Sequence, residues 1–168
     1  MWCAFARAFT IERSLGCSSR SGAAVLARVG SKDKPRILYE AKAFSNDGTP
    51  NRGATILERY REPTWGDIDK LAKILTGLGL SDASILETAI LSNRGTVSHL
   101  QVTRNACAHR SLQSLKAVRK LQPFYVIRDA IRHPSDLAWQ EHASDKSTAI
   151  LRWITDVELL ADLMTNIP

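Results

Sequence analysis

From Thr64 onward, apolar residues recur at the spacing of helices. Ile68, Leu71, Ala72, Leu75 and Leu78 keep the i, i+3, i+4, i+7 rhythm of one buried face. Thr64 followed by Asp67 reads as a capping box ahead of that run, and Gly77 and Gly79 stop it. Ser81 or Asp82 can cap a shorter helix that buries Ile85, Leu86, Ala89 and Ile90 and ends at Asn93-Arg94-Gly95. A long helix follows from about Val97 to Leu121, closed by Pro123. Pro134 opens a short helix holding Leu137 and Trp139, before a polar break at Ser144 to Ser147. The last helix, about Thr148 to Thr165, turns Ile150, Leu151, Ile154, Val157, Leu160, Ala161 and Met164 inward, with Trp153 at its edge. Amphipathic helices joined by short connections predict an all-α fold, a bundle of four to six helices.

The first sixty residues are harder to read. Trp2, Phe5, Ala6 and Phe9 form the apolar stripe of a first helix, Ala23 to Val29 a second, and the serine-rich stretch from Gly16 to Gly22 the break between them. The same segment has an alternative reading: Arg7, Arg13, Arg20 and Arg28 with Glu12 as the one acid in residues 1–32 is the composition of a mitochondrial transit segment. From Lys32 to Pro50 the pattern is irregular, and a short irregular or β segment is expected near residues 35–45, where Ile37-Leu38-Tyr39 can pair as a strand. Ser45 to Pro50 marks a loop. The expected organisation is one domain over residues 1–168, with residues 63–168 as the core bundle.

Composition narrows the class. With 168 residues, 44% apolar and 24% charged, the chain can bury one proper core. No uninterrupted apolar run approaches the roughly 18 residues that a membrane span needs. Cys3, Cys17 and Cys107 are odd in number and far apart, so neither a disulfide framework nor a thiolate zinc site is suggested, and a reducing cytoplasm fits best. His99, His109, His133 and His142 form no i, i+4 metal pair, so no metal and no cofactor is expected.

Charge changes the picture more. Thr88 to Arg128 carries Arg94, Arg104, Arg110, Lys116, Arg119, Lys120 and Arg128 with no Asp or Glu, a charge of +7 in 41 residues. The remaining 16 cations and all 17 acids lie elsewhere and leave that part of the chain at −1. A polyanion would be drawn to the basic stretch. Lys116, Arg119 and Lys120 can equally be the solvated outer face of a helix.

Within that stretch stands Arg104-Asn105-Ala106-Cys107-Ala108-His109. A fixed cation near an imidazole, the side chain that exchanges protons near neutral pH, is a minimal kit for cutting a phosphodiester without metal. Asn105 and His109, four apart, stack on one face, whereas Arg104 lies about 140° round the axis and must reach across the lip of a groove. The small Ala106, Cys107 and Ala108 let a second helix, or a second copy of this one, come close. Cys107 reads as a small core residue and not as a nucleophile. His109 can also be read as a buried histidine bonded to a neighbouring backbone or hydroxyl group.

The hexapeptide resembles the Arg-polar-x3-His signature of HEPN domains, a helical family of prokaryotic toxins, abortive-infection proteins and RNA-cutting immune effectors. His133-Pro134-Ser135-Asp136-Leu137 and Ala149-Ile150-Leu151-Arg152-Trp153-Ile154 resemble the downstream helices of some HEPN ribonucleases, so the likeness spans about Thr64 to Ile167. The resemblance implies a HEPN-like bundle and a metal-independent endoribonuclease, a toxin or antiphage effector acting as a homodimer with a composite active site. His109 would be the general base or acid, Arg104 would hold the scissile phosphate, and Asn105 would orient the imidazole or bond to phosphate. Arg110, Lys116, Arg119 and Lys120 would guide RNA. An antitoxin or a nucleotidyltransferase is a further expected partner. The alternative is a noncatalytic HEPN module that binds RNA or nucleotides or acts as a scaffold. A helical protein-interaction subunit whose basic stretch meets an acidic partner is a third reading.

Overall fold

In the computed structural model, which describes residues 1–30 and 33–167, the chain is mostly helical, with only two-residue strands. Ser31, Lys32 and Pro168 lie outside the described residues, and with them the first position of the segment from Lys32 to Pro50. The chain divides into two compact units, Met1–Ser92 with Leu160–Pro168, and Asn93–Leu159.

The first unit begins with α1 (Trp2–Leu15), whose Trp2, Ala6 and Phe9 are buried as the stripe predicted. No second helix follows. Cys17–Ser18 (β1) and Ala24–Val25 (β2) pair antiparallel, Cys17 opposite Val25, because the serine-rich break closes a tight turn that brings Ala23 back on Ser19. The segment expected to be irregular or β is instead α2 (Lys34–Phe44): Pro35 pre-sets its first turn, and Ile37, Leu38 and Ala41 fall on one buried face. Every residue of the predicted stripe is buried, Ile68, Leu71, Ala72 and Leu75 in α3 (Ile68–Gly77) and Leu78 just past its end, and Ile74 joins them. Its N-cap is Asp67 and not Thr64, the Asp67 carboxylate accepting from the backbone N–H groups of Asp69 and Lys70 at 3.1 Å. Gly77 is required by close approach, since a Cβ there would strike the Phe44 ring of α2, and Gly79 turns the chain with φ +64. In α4 (Ala83–Ser92) Leu86 and Ile90 are fully buried, but Ile85 faces solvent.

Charged side chains inside this unit are paired. Arg13, 1% exposed, bonds Asp82 through Nε at 2.8 Å and again through its terminal nitrogen, and donates to the Ile167 carbonyl at 2.6 Å. Glu40 takes Arg36 at 2.8 Å and also Arg28. Arg7 clasps Glu62 with two bonds of 2.6 and 2.7 Å while the Trp65 indole donates to the same carboxylate. Burial alone would raise the Glu62 pKa, but the Arg7 and Trp65 hydrogen bonds outweigh it and hold the carboxyl below its ordinary value.

The second unit opens with α5 (Arg94–His109) and α6 (Leu112–Arg119). The single helix expected over residues 97–121 is thus two. Ser111 is extended and forms a reciprocal cap with Ser114, each backbone N–H bonding the other's hydroxyl at 3.0 Å, so the helix restarts there. Pro134–Trp139 is a 3₁₀ helix that packs on α5 and α6, opened by Pro134 and capped by His133. Tyr125–Val126 (β3) and Glu141–His142 (β4) pair antiparallel. The core is Ala106, Val118, Tyr125, Ile131, Leu137, Ala149 and Trp153.

With α7 (Ala149–Asn166) there are seven α-helices among the described residues, more than the four to six expected. The inward face of α7 is Ala149, Trp153, Asp156, Leu160 and Met164. Leu151 and Ile154 are therefore exposed, and Trp153 is 1% exposed instead of lying at the edge. The reason is polar: its indole N–H donates to the Tyr125 hydroxyl at 2.9 Å, an anchor that an apolar count along the helix does not weigh. Among the described residues, no helix is long and apolar enough to cross a membrane.

Candidate functional site

The Arg104–His109 motif occupies the last turn and a half of α5, at its C-terminal end and not in mid-helix. Ala106 anchors it. That residue is 1% exposed in the core of the second unit, which leaves Arg104, Ala108 and His109 facing outward. His109 is accessible, so the reading of it as a buried, bonded histidine falls. Cys107 is half-buried and free, in keeping with a packing role.

Arg104 donates from a terminal nitrogen to the Asn105 amide oxygen at 3.0 Å, so the two side chains form one polar unit. Within one chain, nothing joins that unit to His109 among the described residues, and helix geometry sets the guanidinium and imidazole about 140° apart. Asn105, about 40° from His109, is the closer in azimuth. Chemically, the arrangement offers a planar cation suited to a phosphate's oxygens and, one turn on, a ring able to move a proton.

The other expected RNA contacts separate into two kinds. Arg110, Lys116 and Lys120 are exposed and have no carboxylate within ion-pair distance among the described residues. Arg119 differs. Its Nε and a terminal nitrogen both donate to the Ile131 carbonyl, at 3.2 and 3.0 Å, so it closes the loop after β3 onto α6.

Sequence reasoning missed a second polar centre on α5. His99, 8% exposed, shares a 2.8 Å hydrogen bond between Nδ1 and the Tyr125 hydroxyl, which also accepts from Trp153. In the neutral tautomer that carries its proton on Nε2, the Nδ1 of His99 accepts from the Tyr125 hydroxyl while the tyrosine oxygen accepts from the indole. Burial pushes the His99 pKa down, with the nearby His142 adding to it, and burial pushes the Tyr125 phenol up to about 12. The edge of one ring meets the face of the other between Tyr125 and His142, at 5.4 Å. The available signal was the helical spacing of His99, Thr103 and Ala106, which puts a histidine on the buried face.

Among the described residues, no group of three or more His, Cys, Asp or Glu side chains is placed to hold a metal ion. Compared with protein-family models, with curated proteins and with solved structures, the chain matches none.

Proposed function

We propose that this protein is a metal-independent endoribonuclease of the HEPN type, acting in the cytoplasm as a homodimer, a toxin or antiphage effector in the setting the resemblance implies. One observation carries the reading: Arg104, Asn105 and His109 stand at the accessible end of a single helix, followed by Arg110, Lys116 and Lys120, cations with no ion pair among the described residues. Fixed cations with no acid partner are what a sugar-phosphate strand would neutralise.

In the proposed step an imidazole removes the ribose 2′-hydroxyl proton as that oxygen bonds to phosphorus, and the bond from phosphorus to the 5′-oxygen breaks. The leaving 5′-oxygen takes up a proton from a second imidazole, His109 of the other copy. Arg104 offsets the charge that grows on the phosphoryl oxygens, and Asn105 holds the guanidinium in place. The azimuthal gap between Arg104 and His109 is what favours two copies in this reading, one supplying a group that lies round the axis on the other. RNA is cut and DNA spared, because only RNA brings the nucleophile.

The test is to incubate the protein with end-labelled RNA in excess chelator. Cleavage leaving 2′,3′-cyclic phosphate ends, absent with His109→Ala, is expected; a magnesium requirement or 3′-hydroxyl products overturn the mechanism. The same gap also favours a second reading, in which Arg104 and Asn105 bind RNA without catalysis. Under that reading His109→Ala leaves affinity intact and the parent chain never cuts.

A further inference from the structure

Trp139 is 71% exposed, whereas Trp2, Trp65 and Trp153 are 9%, 7% and 1% exposed. It shares the short helix opened by Pro134 with Leu137, but only Leu137, fully buried, turns inward. An indole left in water forgoes most of its burial free energy, and a 3₁₀ helix of six residues has no other reason to hold it outward. This helix packs on α5 and α6, which carry Arg104 and Lys116 and are followed directly by Arg110 and Lys120. A second aromatic, Phe124, is 51% exposed at the end of the turn following α6, and its ring is seated against the His99 ring at 4.8 Å.

We propose that Trp139 and Phe124 are stacking platforms for unpaired nucleic-acid bases, so that the strand is held by phosphate contacts to α5 and α6 and by base contacts to these rings. Charge complementarity selects this occupant over an apolar protein face. Phe124 lies in the carboxylate-free stretch with Arg110, Lys116 and Lys120, and Trp139, outside that stretch between Asp136 and Glu141, sits on the 3₁₀ helix that packs on α5 and α6; exposed aromatics set near cations in this way suit a strand whose bases are free to stack. A base-paired helix offers its bases no such contact, because their faces are already covered. The proposal rests on the ribonuclease reading for the identity of the strand as RNA, but not on catalysis. It predicts that the protein discriminates by strandedness through Trp139 and only weakly by sequence, since every base has a π face.

The exposure pattern supplies the readout. Trp139 is the one tryptophan of the four that is largely exposed, so quenching by a bound strand is read in the unaltered protein and assigned to Trp139 by its loss in Trp139→Phe. The probe is an oligouridylate with 2′-O-methyl groups, which cannot be cut by 2′-oxygen attack, titrated as a single strand and again annealed to its complement. The single strand is expected to quench the emission and the duplex to leave it unchanged. Trp139→Ala should weaken single-strand binding about 5- to 100-fold, Phe124→Ala by a similar or smaller factor, and Trp139→Phe should restore most of the loss. The salt dependence of binding should stay as in the parent for both alanine variants, because no phosphate contact is removed. Thermal melting of each variant establishes that it is folded.

Binding without any change in Trp139 emission, equal quenching by the duplex, or undiminished affinity of Trp139→Ala overturns the proposal. So does failure to bind either strand while an acidic protein is bound. A parallel assay on the unmodified oligouridylate separates this result from the fate of the catalytic reading. Cutting without quenching discards the platforms and keeps the ribonuclease; quenching without cutting keeps the platforms and discards catalysis.

Discussion

Four cations of the first unit and four of the second are used in opposite ways, although Arg128 and Arg152 of the second unit are paired with Glu141 and with Asp145 and Asp156. In the first unit, Arg7, Arg13, Arg28 and Arg36 each lie against a carboxylate, and Arg13 and its partner Asp82 are both almost wholly buried. In the second, Arg104, Arg110, Lys116 and Lys120 stand in solvent with no acid near them among the described residues. A buried guanidinium must be matched, because the desolvation of an unpaired charge costs several kcal/mol. An exposed one bears no such penalty and is available to something outside the chain. The first set therefore belongs to the fold and the second to a ligand, though both are arginine-rich in sequence.

The comparison breaks most decisively at His109. Replacing it with alanine is expected to lower RNA cleavage about 10²- to 10⁴-fold, with the thermal midpoint unchanged because the ring is exposed at a helix end. Arg13→Ala is expected to do the reverse: a loss of about 3–5 kcal/mol in urea denaturation, because Asp82 is left buried and alone. Any fall in its activity should track the unfolded fraction. If Arg13→Ala were as stable as the parent, or His109→Ala unfolded, the division into fold cations and ligand cations would be wrong.

This division was legible in the sequence only in part. The stripe of α3 could be read because five apolar residues keep one phase and Asp67 stands at the start. The carboxylate-free stretch and its hexapeptide were likewise visible as local patterns. What could not be read depends on pairing across the chain. Nothing near Arg13 announces Asp82, sixty-nine positions away, and nothing near Arg119 announces the Ile131 carbonyl. The break at Ser111 was missed because a Ser-x-x-Ser cap is weaker in sequence than one ending in Glu, and the burial of Trp153 because its partner is a single hydroxyl. Helix α2 was hidden by Pro35, which reads as a breaker unless it sits in a first turn.

A second pair of buried ionisable groups sharpens the contrast. Arg13 is buried charged and matched; His99 is buried with Nδ1 hydrogen-bonded to the Tyr125 hydroxyl, and burial disfavours its charged form. Its folded pKa lies below the ordinary value of about 6.5, so the unfolded chain binds a proton more readily than the fold does. Stability from this group is complete above the unfolded value and is lost as pH falls below it, towards the lower folded value. The slope can reach about 1.4 kcal/mol per pH unit for one proton. Urea midpoints measured from neutral to mildly acid pH should fall accordingly. His99→Gln should flatten that dependence, at some cost at neutral pH. A parent protein as stable at mildly acid pH as at neutral pH would mean that His99 is not kept neutral by the fold.

The smallest expected effect distinguishes cations that share one helix. Lys116 and Lys120 lie on or beside α6 with no carboxylate within ion-pair distance among the described residues, while Arg119 beside them is tied to the Ile131 carbonyl. Lys116→Ala and Lys120→Ala should each weaken RNA binding only a few-fold, at unchanged stability. Each should also reduce the slope of log affinity against log salt by about 0.7, the value for one phosphate contact on a single strand. Arg119→Ala should leave the slope nearly as it was and instead lower stability by about 1 kcal/mol, since an exposed charged donor to a carbonyl is partly replaced by water. The opposite result, a slope change at Arg119 and none at the lysines, would mean that its contact with Ile131 yields to phosphate when RNA is present. In that case the boundary between fold and ligand cations would run through a single side chain, and bonding in the free protein would no longer be enough to tell the two kinds apart.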